Sequence, residues 1–215
     1  MPAWQLSRAA GVGREVVHRL VGPVLGSLVG GPRILGREWL AELPAPSLIC
    51  PNHQSHLDIP VLRRSLGSHG RWRLAIAAAD DYWFQRRSYR LVVSWFAAIP
   101  FRRIGSGAGS IHAVESLLAD GWRVVIFPEG TRSRTGDVGP FKPGAALIAV
   151  QTGVPVVPVR IDGLWAILPP GSWRPRRGRA TVRFGEPLRA APGESARAFT
   201  ARLEAAVRGL GPIST

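Results

Sequence analysis

Between Trp4 and Leu28 apolar residues recur at steps of three and four: Val12, Val16, Val17, Leu20, Val21, Val24, Leu25 and Leu28. That period predicts a helix, divided or kinked at Pro23 and ended by Gly30-Gly31-Pro32. Beyond it the pattern changes to short apolar runs. Ser47–Cys50, Leu74–Ala79, Ala97–Phe101, Val124–Phe127, Val154–Ile161 and Thr181–Phe184 read as strands. Helical patterns lie between several of them. Ser110–Ala119 carries Ile111, Val114, Leu117 and Leu118 on one side and stops at Asp120-Gly121; Pro143–Gln151 and Ser195–Gly209 are also helical in pattern. Strands that alternate with helices and are apolar on both faces predict an α/β fold, with a single mixed, largely parallel β-sheet layered by helices. The expected division is an amphipathic helical segment over residues 1–30 and one domain over residues 31–215, with no internal repeat.

Charge adds a partner class to this picture. The chain of 215 residues carries a net +14, and Lys142 is its only lysine, so the positive charge is almost all arginine. Such a balance calls for a polyanionic partner, either nucleic acid or an anionic membrane. No RNA- or DNA-binding motif is present, so nucleic acid is not expected. Arg8, Arg14 and Arg19 among the apolar residues of the first helix leave two readings for it: a helix lying in a membrane interface, or one packed on the domain. The segment Trp173–Arg179, with Arg174, Arg176, Arg177 and Arg179, is either a solvated loop or a patch for anionic head groups. No apolar run is long enough for a conventional transmembrane helix, and no signal peptide is recognisable. A single cysteine, Cys50, excludes an internal disulfide and fits a reducing cytoplasm.

Two segments carry the chemistry. Residues 52–58 read Asn-His-Gln-Ser-His-Leu-Asp. The loop follows a strand's carboxyl end, where α/β sheets place their sites. Asp58 can fold back onto one ring nitrogen of His53, so that the other takes a proton from a hydroxyl; a plain helix N-cap is the bland alternative for Asp58. His53, His56 and Asp58 do not have the spacing of a strong metal motif, and no metal is expected. Residues 127–133 read Phe-Pro-Glu-Gly-Thr-Arg-Ser. Gly130 lets the backbone approach an anion, Thr131 offers a hydroxyl and Arg132 a bidentate fork. Glu129 is out of place beside an anion; it either bonds a substrate hydroxyl or locks the loop by accepting from backbone amides.

These segments resemble blocks I and III of the glycerolipid acyltransferases of the 1-acylglycerol-3-phosphate acyltransferase type. Block I, Asn-His-x-Ser-x-x-Asp, is matched by Asn52, His53, Ser55 and Asp58, and block III by Phe127–Ser133 without exception. Ile99-Pro100-Phe101-Arg102-Arg103 resembles block II, with Arg103 at the motif's arginine and Arg102 where an acidic residue often stands. Val154–Val159 resembles block IV, and Phe141–Ala146 resembles the segment before it. The likeness runs in order over residues 48–163.

The resemblance implies an O-acyltransferase. His53, oriented by Asp58, would act as general base on the free hydroxyl of a lysophospholipid, which attacks the thioester of an acyl-CoA or acyl-carrier protein. Arg103, Glu129, Gly130, Thr131 and Arg132 would form the glycerol-phosphate pocket, and Pro158 would wall the acyl side. No metal or bound cofactor is implied. The substrates and the charge together imply a peripheral protein on an anionic membrane surface, at the cytoplasmic face.

Overall fold

The computed structural model describes residues 7–79, 97–101 and 108–211; Trp4 lies outside them. Seven strands form one sheet: β1 (Arg33–Leu35), β2 (Ser47–Pro51), β3 (Leu74–Ala79), β4 (Ala98–Phe101), β5 (Arg123–Val125), β6 (Val156–Asp162) and β7 (Thr181–Phe184). Their spatial order is β1-β7-β6-β2-β5-β3-β4. All neighbours are parallel except β6 and β7, which pair antiparallel. The fold is therefore the mixed, largely parallel α/β sheet expected from the alternation of elements. The three-residue strand β1 was not expected, because three residues are too few to show a period.

Alternate residues of the central strands face opposite layers. Leu48, Cys50, Ala75, Val124 and Val156 join a core with Phe199, Leu203 and Val207 of the helix Ala196–Gly209 and with residues of Ala108–Ala119 and Gly144–Thr152. Ile49, Leu74, Ile76, Val125, Val157 and Val159 join a second core with Val61 and Leu62 of the helix Asp58–Ser65. Burial of these residues on both faces explains why the strands read as unbroken apolar runs. Burial also drives the Cys50 thiol pKa far upward, as befits a small core residue.

Arg123 at the start of β5 is buried and donates from Nη2 to the Leu43 carbonyl (3.0 Å) and from Nε to that of Pro44 (3.2 Å), fixing the chain as it enters β2. The first helix runs from Arg8 to Val29 with Pro23 inside it. It packs on the helix Asp58–Ser65, outside the second core. No helix among the described residues is long and apolar enough to cross a membrane.

Candidate functional site

The site starts where β2 ends. Parallel β2 sits between β5 and β6, so the loop leaving it is flanked by the loops that leave those two strands. Asn52 fixes the first step. Its Nδ2 donates to the Ile161 carbonyl (2.9 Å) and its Oδ1 accepts from the Ile161 N–H (2.7 Å), so the side chain pairs with β6 as another strand residue would. His53 follows. Its Nδ1 lies 2.7 Å from Asp58 Oδ2, and its ring stacks on Phe127 with centroids 4.0 Å apart.

Asp58 is the first residue of the helix Asp58–Ser65 and is 0% exposed. Its Oδ2 also accepts from the backbone N–H groups of Gln54 (2.6 Å) and Ser55 (2.9 Å). Asp58 therefore holds the loop as well as the ring. With this oxygen already accepting from two backbone N–H groups, Nδ1 faces an acceptor and is the ring nitrogen that carries the proton. Nε2 is then the imidazole nitrogen available to a hydroxyl, and the His53 side chain is partly exposed. Ser55 bonds the Leu168 carbonyl through Oγ (2.7 Å), and Gln54 Nε2 bonds that of Gly136 (2.5 Å).

The second segment leaves β5 and meets the first. Glu129 takes the loop-locking geometry. Its Oε1 accepts from the His53 N–H (2.8 Å) and its Oε2 from the Gly139 N–H (3.0 Å). Both oxygens are thus engaged by backbone amides. Burial raises the Glu129 pKa, and the two amides oppose that shift. A Cβ on Gly139 would stand 2.8 Å from Glu129 Oε2, so only glycine lets the carboxylate come this close. The Ser133 N–H donates to the His53 carbonyl (2.8 Å), a second tie between the two loops.

The anion-binding candidates lie at the turn itself. Gly130 has φ +70°, a conformation that favours glycine. Thr131 is exposed and Arg132 half-buried. Arg103 lies outside the described residues. Two further residues join the group. The Lys142 side chain passes over Gly130, with Nζ 3.1 Å from the position a Cβ would take. The signal for it was in the sequence, as the lone lysine of an arginine-rich chain. His56 lies close enough to Arg132 and His53 to feel both. Burial first, then the neighbouring Arg132 and His53, lowers its pKa to about 4, with Asp58 opposing. His56 is therefore neutral near pH 7.

That shift has a consequence for stability. The unfolded chain protonates His56 near its ordinary value of about 6.5, and the folded chain near 4. Between these values the unfolded state binds more protons, so stability falls as pH drops through the window. The variant His56→Gln is expected to flatten this acid limb by up to one proton in urea-unfolding curves taken across it. An unchanged limb would show that His56 is not the group responsible.

Pro158 lies within β6. Alternation along β6 places it opposite Val157 and Val159, and its ring lies against Gly185 beside Leu210. Among the described residues no group of three His, Cys, Asp or Glu is arranged to hold a metal.

The family model described as Acyltransferase matches residues 36–162, more than half of the chain. The chain is 36% identical to the 1-acyl-sn-glycerol-3-phosphate acyltransferase LPAT1, chloroplastic, of Arabidopsis thaliana, over 74% of this chain and 45% of that protein. It is 34% identical to the BAT2 chloroplastic protein of the same name from Brassica napus, over 65% and 39%. With 1-acyl-sn-glycerol-3-phosphate acyltransferase alpha of Ovis aries it shares 32% identity, over 66% and 49%. It thus spans less than half the length of these relatives. The crystal structure of the 1-acyl-sn-glycerophosphate acyltransferase PlsC from Thermotoga maritima superimposes with a TM-score of 0.72 at 23% identity, covering 94% of this chain and 80% of that one. At that identity the likeness shows the fold.

Proposed function

This chain belongs to the acyltransferase family, and we propose that it moves a fatty acyl group from a thioester to the free hydroxyl of 1-acylglycerol-3-phosphate, giving phosphatidic acid. The observation that carries this reading is the His53–Asp58 pair, at 2.7 Å, tied by backbone bonds to a turn that offers Thr131, Arg132 and the neighbouring Lys142. A base beside an anion site suits an acceptor with both a hydroxyl and a phosphate. The names of the relatives point to the same acceptor.

In this mechanism Nε2 of His53 removes the hydroxyl proton as the oxygen attacks the thioester carbonyl. Asp58 stabilises the imidazolium that results. The tetrahedral intermediate collapses, the C–S bond breaks, and the proton on Nε2 passes to the leaving thiolate. Base catalysis of this kind contributes about 10²–10⁴-fold, and positioning of the two substrates contributes much of the rest. No metal or bound cofactor takes part, so a chelator leaves the rate unchanged. The donor is an acyl-CoA or an acyl-carrier protein.

The test is thiol release from an acyl-CoA, with and without 1-acylglycerol-3-phosphate, with a carrier-protein donor in parallel. Acceptor-dependent release with either donor supports the assignment. Release that requires glycerol-3-phosphate or a neutral lysolipid moves it to a related acceptor. Arg132 supplies a check on the phosphate. A charge-assisted hydrogen bond contributes about 1.5–3 kcal/mol, so Arg132→Gln is expected to raise KM for the phosphate-bearing acceptor about tenfold or more. An equal rise for a neutral acceptor would sink the phosphate contact.

The proposed location is the cytoplasmic face of a membrane, held peripherally. Support comes from the outer face of the first helix, where Val12, Val16 and Leu20, four residues apart, are 56%, 51% and 70% exposed. The variant Val16→Asp/Leu20→Asp is expected to stop floating with lipid vesicles while keeping its melting temperature. Continued flotation would remove the helix from the interface.

A further inference from the structure

The first helix turns Arg14 and Glu15 toward the protein. Arg14 is buried beneath it. Glu15 accepts from Arg71, Nε to Oε2 at 3.1 Å and Nη2 to Oε1 at 2.6 Å. Arg19 reaches the same carboxylate at 3.5 Å. Behind this layer Arg63 is 4% exposed, and its Nη1 has no hydrogen-bond partner among the described residues. Burial, Arg14 and Arg71 lower the Arg63 pKa to about 10, with Glu15 opposing, so the group stays charged near pH 7.

Between this helix and the body of the protein lies a cavity of about 490 Å³, lined by Arg19, Arg64 and Arg71 together with Pro23, Pro32 and Ile34. Glu15 is the carboxylate that the described ion pairs place against these arginines. A concave site walled mainly by one sign of charge concentrates counter-ions. Guanidinium forks match the oxygens of a phosphate better than any other side chain does. None of the residues that line the cavity belongs to the acyl-transfer site. Arg64 follows Asp58 by six residues of one helix, about 9 Å along its axis.

We propose that this cavity binds a phosphate ester anion, and that the anion is the head group of an acidic phospholipid in the bilayer beneath the helix. Three features favour a lipid over a free phosphate. The exposed stripe of Val12, Val16 and Leu20 is on the same helix as Arg19. Pro23, Pro32 and Ile34 give the cavity an apolar side beside its arginines. The loop that carries Trp173, 77% exposed and stacked by Arg174, returns past this edge, because the Gly178 carbonyl adjoins Gly30. The inference does not depend on the acyl-transfer reading.

The experiment is co-sedimentation with vesicles of phosphatidylcholine alone or doped with phosphatidylglycerol, with no acyl donor present. Arg19→Glu/Arg64→Glu is compared with Arg189→Glu/Arg197→Glu, an equal charge change at exposed positions away from the cavity. Arginines near an anionic leaflet contribute about 1 kcal/mol each, so the cavity variant should lose roughly tenfold or more in affinity for the doped vesicles. The control should lose far less. Equal losses in the two variants would overturn the site in favour of general surface charge. Arg64→Gln, a milder change, should show a smaller loss in the same direction.

A second arm adds inorganic phosphate and follows the melting temperature. Stabilisation of wild type but not of the cavity variant, with doped-vesicle binding equal in both, would assign the site to soluble phosphate and overturn the lipid. Thiol release on micellar acceptor should be unchanged in the cavity variant. A loss there in wild type as well concerns the acyl-transfer reading and leaves this one standing.

Discussion

Replacing His53 with Ala lowers acceptor-dependent thiol release by about 10²–10⁴-fold, with little change in the folded state. The ring is the base, and its loss removes the general-base contribution of about 10²–10⁴-fold. What the loop needs from residue 53 is its backbone. The N–H bonds Glu129 and the carbonyl accepts from Ser133, and alanine keeps both. The ring's stacking on Phe127 is the packing that is lost. Asp58→Asn should follow with a loss of about 10²–10⁴-fold, because an amide can place its oxygen at the Oδ2 position and accept the same N–H groups but cannot stabilise an imidazolium. It should also destabilise the fold. The amide NH₂ would occupy the Oδ1 position, which is buried and makes no hydrogen bond in the wild type, and an NH₂ left unpaired there costs about 1–3 kcal/mol. Release above a tenth of wild type in His53→Ala would end the proposed mechanism.

Glu129→Ala is expected to destabilise the protein by about 1–3 kcal/mol, since two partly buried backbone N–H groups each lose an acceptor. Activity should fall with it, in kcat more than in KM, because the His53 loop loses its tie to the 127–133 turn. Glu129→Asp, one methylene shorter, should not reach both amides and should recover only part of the loss. This separates two roles by different readouts. A residue that bonds the acceptor raises KM and leaves the denaturation midpoint in place. A residue that locks the loop moves the midpoint. Urea unfolding and initial rates on the same preparations decide between them, and an unchanged midpoint with a raised KM would return Glu129 to the substrate.

Much of this site was legible because its parts are local. His53 and Asp58 are five residues apart on a loop between a strand and a helix, and the turn chemistry at Gly130 is complete within three residues. For Glu129 the choice between loop lock and substrate contact was not legible. Its partners are 76 residues before it and ten after it, and whether a carboxylate meets amides or a substrate depends on which loops the sheet brings together. The same holds for Asn52, whose partner Ile161 is 109 residues away, and for Lys142 over Gly130.

The first helix gives the clearest contrast. Its period was evident from Val12, Val16 and Leu20, but period alone does not say which side meets the protein. Arg63 and Arg71 decide that. They draw in Glu15, and the helix turns Arg14 and Glu15 inward and leaves Val12, Val16 and Leu20 outward. Six of the seven strands, the largely parallel sheet and the two motif segments were readable from the chain alone, because burial periodicity and turn chemistry act between near neighbours. The tertiary structure decided the strand order, the antiparallel β6–β7 pair, the loop lock and the arginine cavity. Those depend on bonds between groups far apart in sequence, whose meeting follows from the packing of the whole chain.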